Sequence, residues 1–161
     1  MIIRPADTAD AESCRAIYAP FVEESWVSFE TVAPDTAEMV RRITQFGSTH
    51  GWLIAEVDHQ PVGFAYASQH RTRQAYQTSC DVAVYVNPQH ARKGAGRSLY
   101  ATLLPQLRES GFHAAFAGIA LPNPSSIALH EACGFTPVGI YREVGWKMAG
   151  WRDVGWWQTL L

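Results

Sequence analysis

The sequence predicts a mixed α/β domain of the α+β kind, with strands and helices sharing one layered core. Two observations lead there. Trp52 to Val57 and Val62 to Ser68 are short apolar runs around the turn Asp58-His59-Gln60, a hairpin signal. Cys80 to Val86 reads as a strand, followed by a glycine loop, the helix-period segment Ala95 to Ser110 and a second strand, Ala114 to Ala120. Hairpins early and a crossover in the middle do not fit a doubly wound parallel sheet.

The remaining elements follow in order. Ile2 to Arg4 reads as a short opening strand. Asp7 or Thr8 can cap a helix that carries Ile17, Tyr18, Phe21 and Val22 on one face. Trp26 to Thr31 looks extended and precedes Pro34. Asp35 or Thr36 can cap a second helix that runs to about Phe46. Gly111 stops the helix that begins at Ala95, and Gly134 stops a short one from Pro124 to Cys133. Val138 to Lys147 and Val154 to Leu160 supply two final strands.

Composition narrows the class. With 161 residues the chain is long enough for one domain with a substantial core, and residues 1–161 are read as a single domain. A net charge of −2 gives no general basic field, so nucleic acid is not an expected partner. There is no run of membrane-span length and no signal-peptide core, so no membrane association is expected. Cys14, Cys80 and Cys133 lack metal spacing and read as reduced thiols of a cytoplasmic protein. The six histidines are scattered, and no metal site is expected.

The stretch from Val84 to Leu99 carries the most chemistry. Strand, proline, basic glycine-rich loop and helix together build an anion site. Gly94 and Gly96 let the backbone come close to a ligand, and N–H groups at the helix start point outward with the positive end of the helix dipole behind them. Arg92, Lys93 and Arg97 add full charges around Ala95. A pyrophosphate suits such a cradle. Arg97-Ser98 stands where a nucleotide-triphosphate loop needs Lys-Ser/Thr. Leu99 stands where a dinucleotide fold needs its third glycine.

Strand, then x-x-Gly-x-Gly, then helix resembles the acetyl-CoA loop of the GNAT superfamily of N-acetyltransferases. Leu121 to Phe135 resembles its late motif, with Asn123 at the asparagine and His130 at the usual tyrosine. The Leu-His-Glu reading there is similar to the phosphinothricin and methionine sulfoximine acetyltransferases. Trp26 to Thr31, Gly63 to Tyr76 and Val144 to Gln158 resemble further segments of that subfamily, so the likeness covers nearly the whole chain in order. Two residues depart from the pattern. Ala91 stands at a usual Arg or Gln, and Asp81 at a usual Glu, one methylene shorter.

The resemblance implies a GNAT fold, with a mostly antiparallel sheet splayed at the acetyl-CoA site, and acetyl-CoA as co-substrate. It implies that Asn123 and Ser126 meet the pantetheine arm, and that a backbone N–H among Val84, Tyr85 and Val86, at a bulge, polarises the thioester carbonyl. Acetyl transfer to an amine also needs a proton acceptor, since an α-amino group is mostly charged at neutral pH. Asp81 is the first candidate, and His130 can hydrogen-bond the amine or donate toward sulfur. Cys80 and Cys133 have no flanking base, so direct transfer is favoured over an acyl-enzyme. Arg71 and Arg73 suit a carboxylate or phosphinate, with Thr72 between them and Phe29 and Tyr76 as apolar walls. The expected substrate is a small amino acid or analogue. The alternatives are a broad L-amino-acid N-acyltransferase and a non-catalytic acetyl-CoA-binding module. Trp151, Trp156 and Trp157 are read as core or as part of a homodimer interface.

Overall fold

The first turn of the chain is fastened by charge. In the computed structural model, which describes residues 1–161, Asp7 and Asp10 form a capping box ahead of α1 (Ala11–Glu23). Asp10 also receives both terminal nitrogens of Arg4, at 2.7 Å each, and Arg4 reaches Glu56 at 2.6 Å. Arg4 lies on β1 (Ile2–Pro5) and Glu56 on β2 (Trp52–Val57), which pair antiparallel, so one guanidinium locks strand, strand and helix together. Asp35 caps α2 (Thr36–Gly47) by accepting from Glu38 N at 2.8 Å.

The hairpin turn at Asp58 and His59 has φ +50° and +61°, the left-handed pair that suits a two-residue connection, and it leads into β3 (Gln60–Gln69). The other elements are β4 (Ser79–Val86), α3 (Ala95–Glu109), β5 (Ala114–Ala120), α4 (Pro124–Ala132), β6 (Thr136–Trp146) and β7 (Trp151–Leu160). They form one seven-stranded sheet in the order β1-β2-β3-β4-β5-β7-β6. All neighbours are antiparallel except β4 and β5. Period-two alternation divides the cores. Cys80 and Val82 face Leu99, Tyr100, Leu103 and Leu107 of α3, all buried. Phe64 and Tyr85 face Ile17, Tyr18 and Val22 of α1.

Two local expectations are corrected. Trp26 to Thr31 is a loop rather than an extended run, because its polar groups are claimed by side chains instead of a neighbouring strand. Lys147 donates to the carbonyls of Ser28 and Glu30 at 2.6 and 2.8 Å, and Tyr18 and Arg42 both bond Glu30. The bulge expected at Val84 to Val86 is also absent, since β3 and β4 stay in unbroken register from Gly63–Val86 to Gln69–Cys80.

Hydrogen bonds from Arg4 hold the Asp10 carboxyl below the usual carboxylate range. Its stabilisation is therefore present above the unfolded carboxylate pKa and lost as pH falls through the lower folded value. Asp10→Asn is expected to cost about 1–3 kcal/mol at neutral pH and to flatten the acid limb of stability, measured by urea denaturation from neutral pH downward.

Candidate active site

The site begins where β4 and β5 part. Their parallel pairing covers Ser79–Ala114, Cys80–Ala115 and Asp81–Phe116 and then stops. Beyond that point β4 stays with β3 and β5 stays with β7 through Ala120–Val154. The bond from Asn87 N to Val62 O, 2.8 Å, fixes the phase of β4: odd-numbered amides turn toward β3, and those of Val84 and Val86 turn toward the gap. Of the three residues expected to serve the carbonyl, Tyr85 therefore has its backbone committed to β3. Val82, Val84, Ala117, Ile119, Asn123, Ser126 and His130 line the gap, a narrow cleft of about 50 Å³. A larger open hollow of about 630 Å³, at Leu121, Arg142 and Trp151, shares no residue with this cleft.

The glycine loop leads into the N-terminus of α3. Gly94 caps the helix at φ +85°, and a Cβ built there meets nothing within 4 Å. Gly96 does a different job, since its Cβ would lie 2.9 Å from Leu129 Cδ2. It lets α3 approach α4. The first bond of the helix is Ser98 N to Gly94 O at 2.9 Å, so the amides of Ala95, Gly96 and Arg97 have no intrahelical acceptor. Arg92, Lys93 and Arg97 are exposed and unpaired with any acid, whereas Arg4, Arg15, Arg41 and Arg42 each hold a carboxylate. Open space above Gly94, free amides and unneutralised cations fit a pyrophosphate.

Asn123 spends its Oδ1 on capping α4, accepting from Ser126 N at 3.1 Å, and leaves its amide NH₂ without a protein partner. His130 is buried. Its Nδ1 lies 2.7 Å from the Ser126 carbonyl, so it carries the proton, and Nε2 accepts from the Tyr100 hydroxyl at 2.9 Å. Burial lowers its pKa, which keeps the ring neutral. To donate toward sulfur it has to give up the Ser126 carbonyl.

At the vertex of the gap stands a residue that the sequence reading passed over. His70 Nδ1 lies 2.6 Å from Asp81 Oδ1. Burial raises the pKa of Asp81, and the hydrogen bond from His70 pulls it back. The imidazole lies flat on Phe116, with centroids 4.4 Å apart, and edge-on to Tyr76 and Trp156. Trp156, read from the sequence as core or dimer interface, covers Gly118 beside it. Alternation puts it on the site face while Trp157 enters the core, and its Nε1 is buried without a partner. Arg71 stands 6.0 Å above the Trp156 ring and is exposed. Arg73 and Thr72 are exposed in the same loop, and Arg73 makes no side-chain cap bond there. Phe29 presses on Gly145, and Tyr76 abuts His70, so the two walls stand on different elements. Cys80 is fully buried, with its thiol pushed up to about 12 by desolvation, and offers no thiolate.

A sheet parted between two parallel strands, with a bare helix N-terminus leading from its mouth, is the arrangement expected of the acyltransferase class that the sequence resembles. Comparison with known proteins gives that class its family. Residues 18–135 match the family described as the acetyltransferase (GNAT) family. The chain is 39% identical to the phosphinothricin N-acetyltransferase of Streptomyces viridochromogenes, over 97% of this chain and 85% of that protein. It is 31% identical to an L-methionine sulfoximine/L-methionine sulfone acetyltransferase of Salmonella typhimurium, over 100% and 95%. A phosphinothricin acetyltransferase structure from Sinorhizobium meliloti, in complex with acetyl-CoA, superposes with TM-score 0.95 at 32% identity, covering 99% of this chain and 88% of that one. The chain belongs to the GNAT family and is an acetyl-CoA-dependent acyltransferase. None of its helices is long and apolar enough to cross a membrane.

Gly94→Val projects a side chain into the open space at the loop and forces a branched residue to positive φ. The dissociation constant for acetyl-CoA, read by calorimetry, is expected to rise about tenfold or more, with a folded circular dichroism spectrum; unchanged affinity contradicts the loop assignment.

Proposed function

We propose that this chain acetylates the α-amino group of a small amino acid or analogue, of the kind its relatives are named for: L-methionine sulfoximine, L-methionine sulfone or phosphinothricin. Arg71 carries this reading. It is a cation with no acidic partner, set over Trp156 beside the only His–carboxylate pair in the protein. A planar guanidinium there gives an amino acid's carboxylate or phosphinate two parallel bonds, and the pair behind it receives the amine. Arg73 and Thr72 complete the clamp, with Phe29 and Tyr76 as walls.

On the other side of the sheet Arg92, Lys93 and Arg97, with the amides from Gly94 to Arg97, hold the pyrophosphate. Asn123 and Ser126 hold the pantetheine arm. The amides of Val84 and Val86 point at the thioester carbonyl and need no reorganisation as charge develops there. Asp81 and its imidazole partner take the amine proton. His130 ties α4 to α3 through Tyr100 and lines the cleft on the side of the pantetheine arm. The inert Cys80 supports direct transfer in a ternary complex.

The reading extends to a single domain acting as a homodimer in the cytoplasm. Three unpaired cysteines support a reducing compartment. Val138, Ile140, Tyr141, Val144, Trp146 and Trp151 are exposed on β6 and β7, a sheet edge that a second copy would cover. A monomer by light scattering at micromolar concentration refutes the dimer.

Arg71→Ala is expected to raise the KM of a free amino acid about tenfold or more while leaving that of acetyl-CoA unchanged. With the natural chain, the methyl ester of the same amino acid is expected to lose as much, and to lose little further in the variant. Equal kcat/KM for acid and ester contradicts the clamp, and no turnover with any amine contradicts the proposed function.

A further inference from the structure

Asp81 stands at the last of the three pairs that join β4 to β5 before the strands part, and its carboxylate does not face an amine alone. Its Oδ1 is occupied by His70 Nδ1 at 2.6 Å. An ionised carboxylate only accepts, so Nδ1 carries the proton of that bond, and the neutral ring leaves a lone pair on Nε2. No protein group bonds to Nε2. The ring is held in plane by Phe116 of β5, at 4.4 Å and 17°, and flanked by Trp156 of β7 and by Tyr76. A carboxylate behind an oriented imidazole with a free lone pair is the arrangement that makes a general base.

Resting on the amine acetylation proposed above, we propose that Nε2 of His70 is the atom that takes the substrate's proton, with Asp81 as the positioning anion behind it. The shorter side chain of Asp81 then stops being a deficit, because the imidazole supplies the missing reach. The ammonium of the substrate gives one proton to Nε2. The nitrogen lone pair so freed forms the N–C bond to the thioester carbon, and the C–S bond breaks with its electron pair passing to sulfur. The nitrogen's second proton goes to that sulfur, and the imidazolium returns its own to solvent. The products are an amide, a thiol and one proton.

The charged and titratable groups around the pair are few. Arg71 favours the carboxylate from the loop. Burial raises the pKa of Tyr66 on β3 and of Cys80 on β4, so both are neutral at working pH, while β5 and β7 present Phe116, Trp156 and Gln158, none of them ionisable. No second carboxylate competes for the imidazole.

His70→Phe keeps a ring on Phe116 and removes both nitrogens. Its kcat is expected to fall about 10²–10⁴-fold with acetyl-CoA affinity unchanged, and the limb of the pH–rate profile that reports the general base is expected to disappear. Adding Asp81→Glu to His70→Phe is expected to recover at least about tenfold of that rate, since the longer carboxylate reaches the amine itself. A His70→Phe variant within threefold of the natural kcat, with an unaltered pH limb, overturns the proposal. Nitrogen-15 NMR of the unsubstituted protein tests it without any variant: neutral His70 is expected as the Nδ1–H tautomer, and the Nε2–H tautomer overturns it. If the natural chain acetylates no amine, the proposed function fails instead, and the tautomer measurement still decides the geometry.

Discussion

The structure depends on three residue pairs. β4 and β5 are the only parallel neighbours in the sheet, and they hold together only from Ser79–Ala114 to Asp81–Phe116. Each strand then follows its antiparallel partner, and the two diverge. Every feature of the site follows from that parting. Backbone groups that a continuous sheet would pair internally at Val84 and Val86 are turned into the gap instead. The helix that connects the two strands, α3, starts at the wide end and brings an N-terminus with no side-chain cap to the mouth of the gap. Asp81 and His70 stand at the narrow end, where the two sheet halves are still bonded and a base can be held rigidly.

The two faces of the parted sheet divide the work. Cys80, Val82 and Val84 face α3 and α4, the side of the pyrophosphate loop and of Asn123. Asp81, Phe116 and Trp156 face the other way, where Arg71 and the loop from Trp26 to Thr31 lie. That loop has no strand to steady it. Lys147, buried under it, bonds two of its carbonyls, and Tyr18, Ser28, Glu30 and Arg42 form a continuous hydrogen-bonded chain below. Removing the Lys147 ammonium would leave both carbonyls unsatisfied and free Phe29 from Gly145.

What was legible in the sequence was what short-range chemistry decides. The caps at Asp7 and Asp35, the hairpin at Asp58-His59, the glycine loop and each long apolar run follow from neighbours a few residues apart, and they stand where they were read. The resemblance supplied the splayed sheet. The misses share one cause: each depends on which distant side chain lies opposite. His70 looked like one of six scattered histidines because its partner Asp81 and its stacking surface Phe116 come from other strands. Trp156 and Trp157 are adjacent in sequence, yet one belongs to the site and the other to the core. Gly94 and Gly96 looked alike as loop glycines, but the first is a left-handed helix cap and the second is crowded by Leu129 of another helix. The bulge was expected only because the resemblance implied one; the departure of β5 makes the gap without it.

The central claim is that the unpaired edge of β4 receives the acyl thioester, and its backbone amides report on this directly. Hydrogen exchange read residue by residue by NMR is expected to show Val84 and Val86 exchanging freely in the protein alone and slowing at least about tenfold with saturating acetyl-CoA, while Ala83 and Tyr85, bonded to β3, stay protected throughout. Protection of Ala95 to Arg97 by acetyl-CoA with no change at Val84 and Val86 would place the ligand on the loop but outside the gap, and would contradict the account.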